Sequence, residues 1–288
     1  MRNSTPSLAL TALALGLALS PERALAQVNA ESLRPNPLRE GLAGGIEASL
    51  ALSRGNIELF DIGGAGRIQY QSLHPPPVVD PSNVTEESDG PPAAPVLPFV
   101  AHRVFLSASG RFSELAGRAF VSQAFVHARW TGMWHERVGS DVFAQLQLNA
   151  FLRLEMRAVG GVGVRLEAIH EPVFMLWGGT GYMLEHDRIS VVEGAPDAPE
   201  TLEHRWTSYV TMRLAVLEGQ LLFQNSVYCQ PRFDALQDFR FLEELEVMSR
   251  VGEVFMLGAT LTVLYDSAPP TGVSDTDLRL VTALRLVL

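Results

Sequence analysis

Seven histidines, one cysteine and scattered serines are the residues that could do covalent or metal chemistry in this 288-residue chain. Their spacing does not assemble them. No H-x-x-x-H, H-E-x-x-H or Cys-His pattern occurs, so neither a metal site nor another cofactor is expected, and no G-x-S-x-G elbow prepares a nucleophile. The nearest approach to a nucleophile and its base is Ser107 and Ser109 on one predicted strand beside His127 on the next. That set reads as ordinary polar lining. The acidic run from Asp80 to Asp89 reads as solvated chain rather than a cation site.

What recurs instead is charge at every second position of alternating segments. The polar parity collects Glu47, Asp61, Arg67, Arg103, Arg111, Arg129, Arg153, Glu155, Arg165, Glu167, Arg205, Arg213, Glu244, Glu246, Arg250, Arg279 and Arg285. Arginine outnumbers carboxylate in this set although the whole chain carries a net charge of −10 and no lysine. The acidity therefore belongs mostly to loops, and nothing here offers the basic patch that nucleic acid would require.

The elements that carry these residues read as β-strands. Residues 141–155 alternate hydrocarbon at Val142, Ala144, Leu146 and Leu148 with Gln145, Gln147, Asn149, Arg153 and Glu155. The pattern repeats with Ala124, Val126, Ala128, Trp130 and Trp134 against Gln123, His127, Arg129, Thr131 and His135, and again in 203–217 and 275–288. Period-2 alternation and turn chemistry predict twelve strands near 42–53, 57–71, 102–114, 119–135, 141–155, 158–168, 173–185, 203–217, 220–233, 239–250, 254–266 and 275–288. Most exceed the ~9–11 residues that a tilted strand needs to cross a bilayer. Soluble sandwiches close with strands of about five or six residues. The expected fold is therefore all-β, an antiparallel transmembrane β-barrel of about 12 strands. Trp130, Trp134, Trp177, Trp206, Tyr70, Tyr182 and Tyr265 are candidates for interfacial girdles, and Cys229, sharing parity with Phe223 and Val227, for a small lipid-facing residue.

The N-terminus supplies the compartment. Arg2, the apolar run from Leu8 to Leu19, Pro21 and Ala24-Leu25-Ala26 form the three regions of an export signal with cleavage expected after Ala26. Residues 27–41 then form a short lead and 42–288 the barrel, interrupted by a Pro-rich, acidic insertion at 72–98 that is expected to be disordered. A mean hydropathy of +0.13 over such a chain suits a protein with one face in lipid. Outer-membrane lipid and the barrel-assembly machinery are the expected partners.

Particular segments resemble the family designated domain of unknown function 481, often labelled as salt-induced outer-membrane proteins. The opening 42–56, ending in Ser53-Arg54-Gly55-Asn56, is similar to that family's first strand and turn. The glycine-rich Gly160-Gly161-Val162-Gly163 resembles its central hairpin, and 265–277, with Asp266, Pro269, Pro270, Gly272 and Asp277, its last hairpin. The resemblance implies an outer-membrane β-barrel and brings no catalytic set. The chain departs from the family pattern in ending at Leu288 rather than an aromatic residue, and in carrying the 72–98 insertion where the family has a tight turn.

Two functions follow from the polar face. If the barrel conducts, its arginine-rich wall favours small anionic solutes. If side chains meet across the lumen, Arg–Glu ladders hold the strands together, with Arg153 answering a carboxylate such as Glu167, and the protein serves envelope maintenance. An enzyme acting on lipid or lipopolysaccharide is the alternative of another class; it would need a Ser/His or carboxylate cluster at the outer-leaflet rim.

Overall fold

Period-2 alternation is realised as one continuous antiparallel sheet. In a computed structural model, which describes residues 40–53, 59–74, 99–115, 118–252 and 255–286, the strands are β1 (Gly41–Ser53), β2 (Leu59–Leu73), β3 (Val100–Leu115), β4 (Arg118–Met133), β5 (Val138–Asn149), β6 (Leu154–His170), β7 (Phe174–Ile189), β8 (Glu200–Val216), β9 (Leu221–Pro231), β10 (Phe239–Arg250), β11 (Phe255–Asp266) and β12 (Thr276–Leu286). Each pairs with its sequence neighbours in the order β1 to β12. The sheet curls until β12 approaches β1. Among the described residues no hydrogen-bonded ladder joins those two strands.

The curl sorts side chains by parity. Val104, Leu106, Val126, Trp130, Val142, Leu146, Leu148, Val162, Val164, Val210 and Leu280 stand exposed on the convex face, while Arg103, Phe105, Ser107, His127, Arg129, Asp141, Gln147 and Thr211 are buried on the concave one. A monomer in water does not display so continuous an apolar surface. Hydrocarbon on most outward positions of strands 11–17 residues long is the surface of a barrel that spans a membrane.

Of the girdle candidates, Trp130, Trp134, Trp206, Tyr70 and Tyr182 are exposed on the outside. Trp177 is not. It is 7% exposed inside the barrel, because β7 counts inward from Met175 through Trp177 to Met183. Cys229 is exposed on the outer face. Glu243, which broke the expected alternation, faces outward and accepts a hydrogen bond from Asn225 Nδ2 at 3.0 Å.

The long strand expected at 141–155 is cut short. β5 stops at Asn149, whose Oδ1 accepts from the Leu152 amide at 3.3 Å, and a 3-10 turn occupies Ala150–Leu152. Arg153 then adopts a left-handed conformation with φ 59°. This local capping reverses the chain, so Arg153 sits in a loop and Glu155 is exposed at the start of β6. The export signal, the lead up to residue 39, the 75–98 part of the insertion with the Asp80–Asp89 run, and the side chains of Glu47 and Arg285 lie outside the described residues. The insertion leaves between His74 and Phe99, whose rings lie 4.4 Å apart and whose backbones are joined by a 2.8 Å hydrogen bond.

The β8–β9 turn shows a cost of this geometry. Leu217 and Glu218 take φ values of 53° and 56° ahead of Gly219 at 81°, conformations that asparagine or glycine adopts with less strain. Replacing Leu217 by asparagine should raise stability by about 0.5–1 kcal/mol, read as a higher urea midpoint for the refolded barrel.

Candidate functional site

The inner face of the barrel carries two clusters of charge together with an apolar cluster. Nearest the 134–137 and 171–173 turns, Asp141 of β5 accepts from Thr131 Oγ1 at 2.5 Å and from Tyr209 Oη at 2.9 Å. Tyr209 in turn accepts from Arg165 Nη1 at 2.9 Å. Arg165 also donates from Nε to Glu167 at 3.1 Å, its guanidinium lies 5.5 Å from the Trp177 ring, and Glu167 contacts His170 Nδ1 at 3.0 Å. The Arg129 guanidinium lies 5.5 Å from the Phe143 ring and 5.7 Å from that of Tyr209.

Distance across the sheet gives these contacts their meaning. Neighbouring strands lie about 4.8 Å apart, yet Tyr209 on β8 touches Asp141 on β5, and Arg129 on β4 reaches the same ring. These are chords across the lumen rather than rungs along its wall.

The second charged cluster lies toward the opposite end. Glu185 on β7 is 2.5 Å from Arg240 Nη1 of β10, 3.6 Å from Arg157 Nε of β6 and 3.5 Å from Arg205 Nε of β8. Arg157 also donates to Asp187 at 2.8 and 2.5 Å, Arg240 to Asp266 at 2.9 Å, and Arg205 to Glu203 at 2.5 Å and Asp238 at 3.1 Å. Arg165, Arg205 and Glu185 are only 1–2% exposed. Met175, Trp177, Tyr209, Tyr228, Leu242 and Leu264 pack as an apolar core on the same inner face.

Loops close over the second cluster. Arg153 donates to the carbonyls of Thr271 and Ser190, and Asp197 accepts from the Thr271 amide at 3.1 Å and hydroxyl at 3.0 Å. The β5–β6, β7–β8 and β11–β12 loops are thus tied together over a cavity of about 190 Å³ whose wall includes Arg157, Asp187, Glu203, Arg240, Asp266 and Asp277. Deeper, between His127, Arg129, Asp141 and Tyr209, only about 50 Å³ is open. In the 232–238 loop Arg232 donates to Asp234 at 3.0 and 2.7 Å. That hydrogen bond holds the Asp234 carboxyl below its usual range, so the contact is present at neutral pH and lost as the pH falls through the lowered value.

Glycine makes room for the crossing rings. A Cβ on Gly161 would stand 2.3 Å from Phe143 Cζ, and one on Gly179 would stand 2.6 Å from Tyr209 Cε1. Gly160, by contrast, has nothing within 4 Å. Gly179→Ala should therefore cost about 1–3 kcal/mol by overpacking while Gly160→Ala is neutral, a difference that urea unfolding of the two variants reads directly.

The residues expected to line a lumen are distributed unevenly. Arg103 donates from Nε to Gln71 at 3.0 Å, and Arg111 binds Asp61 at 3.0 Å through Nε and again through Nη2. Arg67, Arg213 and Arg279 are half-buried and Glu244 and Glu246 buried, whereas Arg250 is exposed at the end of β10. Glu167 answers Arg165, not Arg153, which the 3-10 turn has carried to the loops. Ser107 and His127 are registered opposite one another but are 4% and 2% exposed inside the barrel, with phenylalanine rings of Phe105, Phe125 and Phe143 about the imidazole, and Ser109 is exposed. That places the pair away from the lipid-facing rim.

Sequence reasoning missed Asp141, Arg157, Glu185, Asp187, Tyr209 and Arg240. They add three carboxylates and two arginines, and Glu203, Asp266 and Asp277 add three more carboxylates to the same wall, which narrows the excess of arginine. The signal that could have found Glu185 and Asp187 was a strict count of two from Trp177, obscured because β7 is apolar on both faces over most of its length.

A membrane-spanning β-barrel with an ion-paired interior is the class of protein that this arrangement defines. The chain belongs to the family described as Protein of unknown function, DUF481, whose profile matches residues 100–285. The match begins at β3, so the 42–56 segment falls outside it. No curated protein matches significantly. Similar solved structures include a NanC porin (6% identity, 85% of this chain and 97% of that chain covered, TM-score 0.39), a bacterial polysaccharide outer membrane secretin (10%, 86% and 98%, 0.41) and the translocator domain of the autotransporter NalP from Neisseria meningitidis (10%, 90% and 90%, 0.37).

Proposed function

We propose that this protein is an outer-membrane barrel closed by its own side chains, contributing to envelope integrity rather than to solute passage. The observation that carries the reading is the burial of inward side chains: Arg205, Glu185, Thr211 and Ser226 are 0–2% exposed, which a water-filled channel wide enough for a solute would not allow. Among the described residues the space inside includes cavities of about 50 and 190 Å³. Placement in the outer membrane rests on the export signal together with the lipid-facing strands. The loops at 190–199, 232–238 and 267–275 are longer than the turns at 134–137, 171–173 and 217–220, and longer loops in such barrels face outward. The tied-down rim then faces the exterior, and the start of β1, the end of β12 and the His74–Phe99 pair face the periplasm.

Deleting the gene tests this reading in cells. Greater sensitivity to detergents and bulky hydrophobic antibiotics, with unchanged uptake of small anions, is the expected outcome. Slower uptake of small anions through an otherwise intact envelope would contradict it.

A further inference from the structure

Most of the charge on the strands faces the interior, but among the described residues a mid-strand carboxylate, Glu243, faces the other way. Glu243 is the fifth residue of β10 and Asn225 the fifth of β9, so both lie mid-strand, half-buried, on the outer face. Their neighbours on that face are apolar: Val210 and Met212 on β8, Val227 on β9 and Leu245 on β10. Elsewhere the polar side chains of the outer face include Thr180 with Ser208, Tyr182 with His204, and His186 with Glu200. The last couple stands at the loop end of β7 and β8, where water and head groups can reach it. Asn225 and Glu243 lie away from the strand ends, and an ionisable group placed against hydrocarbon is unfavourable unless a partner meets it.

We propose that the outer face of β8–β10 is the contact between two copies of this chain in the membrane. The pair is self-complementary. Asn225 Nδ2 donates to Glu243 Oε1 at 3.0 Å within one chain, which leaves a second amide N–H and the amide oxygen on Asn225 and a second carboxylate oxygen on Glu243. A two-fold axis along the membrane normal brings residues of equal depth together, so that residue i meets j and j meets i. Asn225 of each copy then donates to Glu243 of the other, and a four-membered polar cluster is enclosed by Val210, Met212, Val227 and Leu245. The contact is independent of whether the lumen conducts.

The single cysteine reports on this arrangement. Cys229 is exposed on the same face of β9, four residues from Asn225, and the same axis sets the two Cys229 side chains at equal depth across the contact. Native membranes treated with a short bis-maleimide should yield a cross-linked dimer from the wild type and none from Cys229→Ser. Purified wild type in mild detergent should sediment as two copies. Replacing both Asn225 and Glu243 by leucine leaves the interior untouched and a heat-modifiable band will report its folding; its cross-linked yield should fall at least tenfold and its sedimentation shift to one copy. A wild type that sediments as a single copy and gives no cross-link overturns the proposal and assigns the face to lipid. Equal cross-linking by the folded double-leucine variant overturns it as well.

Discussion

Replacing Glu185 by leucine is expected to lower the unfolding free energy of the refolded barrel by about 3–5 kcal/mol, the cost of removing one partner from a buried charge network. Glu185 lies within 3.6 Å of Arg157, Arg205 and Arg240 together. Without it three guanidiniums from β6, β8 and β10 face each other with little solvent to screen them. Asp187, Glu203, Asp238 and Asp266 still hold one arginine each or more, which is why the barrel should fold at all. The urea midpoint followed by tryptophan fluorescence provides the measurement. Changing Arg240 to methionine as well removes the opposite charge, so the double variant should lose less than the sum of the two singles, with a coupling of about 0.5–3 kcal/mol. Strict additivity would mean that the two side chains do not interact across the lumen.

The second large effect concerns the outer face. Val126 lies mid-strand on β4, is 43% exposed, and has Leu146 of β5 and Ala108 of β3 as its registered neighbours. Arginine there meets the bilayer midplane and should cost about 2–4 kcal/mol in liposomes. The penalty depends on lipid: in micelles, where water is nearer, it should shrink. Val126→Ala, which introduces no charge, should cost far less in either medium. Equal costs for arginine and alanine would contradict the outward orientation of this face.

How much of this was legible in the sequence follows from what alternation can and cannot encode. Strands such as β4 and β8, hydrocarbon on one parity and arginine, threonine and histidine on the other, declare both their length and their facing. β7 does not, because an interior packed with Met175, Trp177 and Met183 is as apolar as the outside, and the two faces then carry the same signal. That is why Trp177 reads as a girdle residue and why Glu185 and Asp187 escape notice. The end of β5 was hidden for a different reason. Nothing in the run Gln147-Leu148-Asn149-Ala150 interrupts the period, yet the Asn149 side chain caps the following turn and shifts Arg153 and Glu155 out of the strand. Arg157, placed one residue outside the predicted strand at 158–168, was lost with them. Parity also says nothing about reach. That Tyr209 crosses from β8 to Asp141 on β5 depends on the curl of the whole sheet and on Gly179 yielding space to its ring, neither of which a single strand records.

The central claim, that the side chains of this barrel close its own lumen, is tested most directly by planar-bilayer recording of the purified, heat-modifiable protein at neutral pH. The crossing contacts of Tyr209 with Asp141 and of Arg240 with Glu185 predict an electrically silent membrane at protein densities where a general porin gives many steps. Stable unitary conductance with a reproducible ion preference would contradict it.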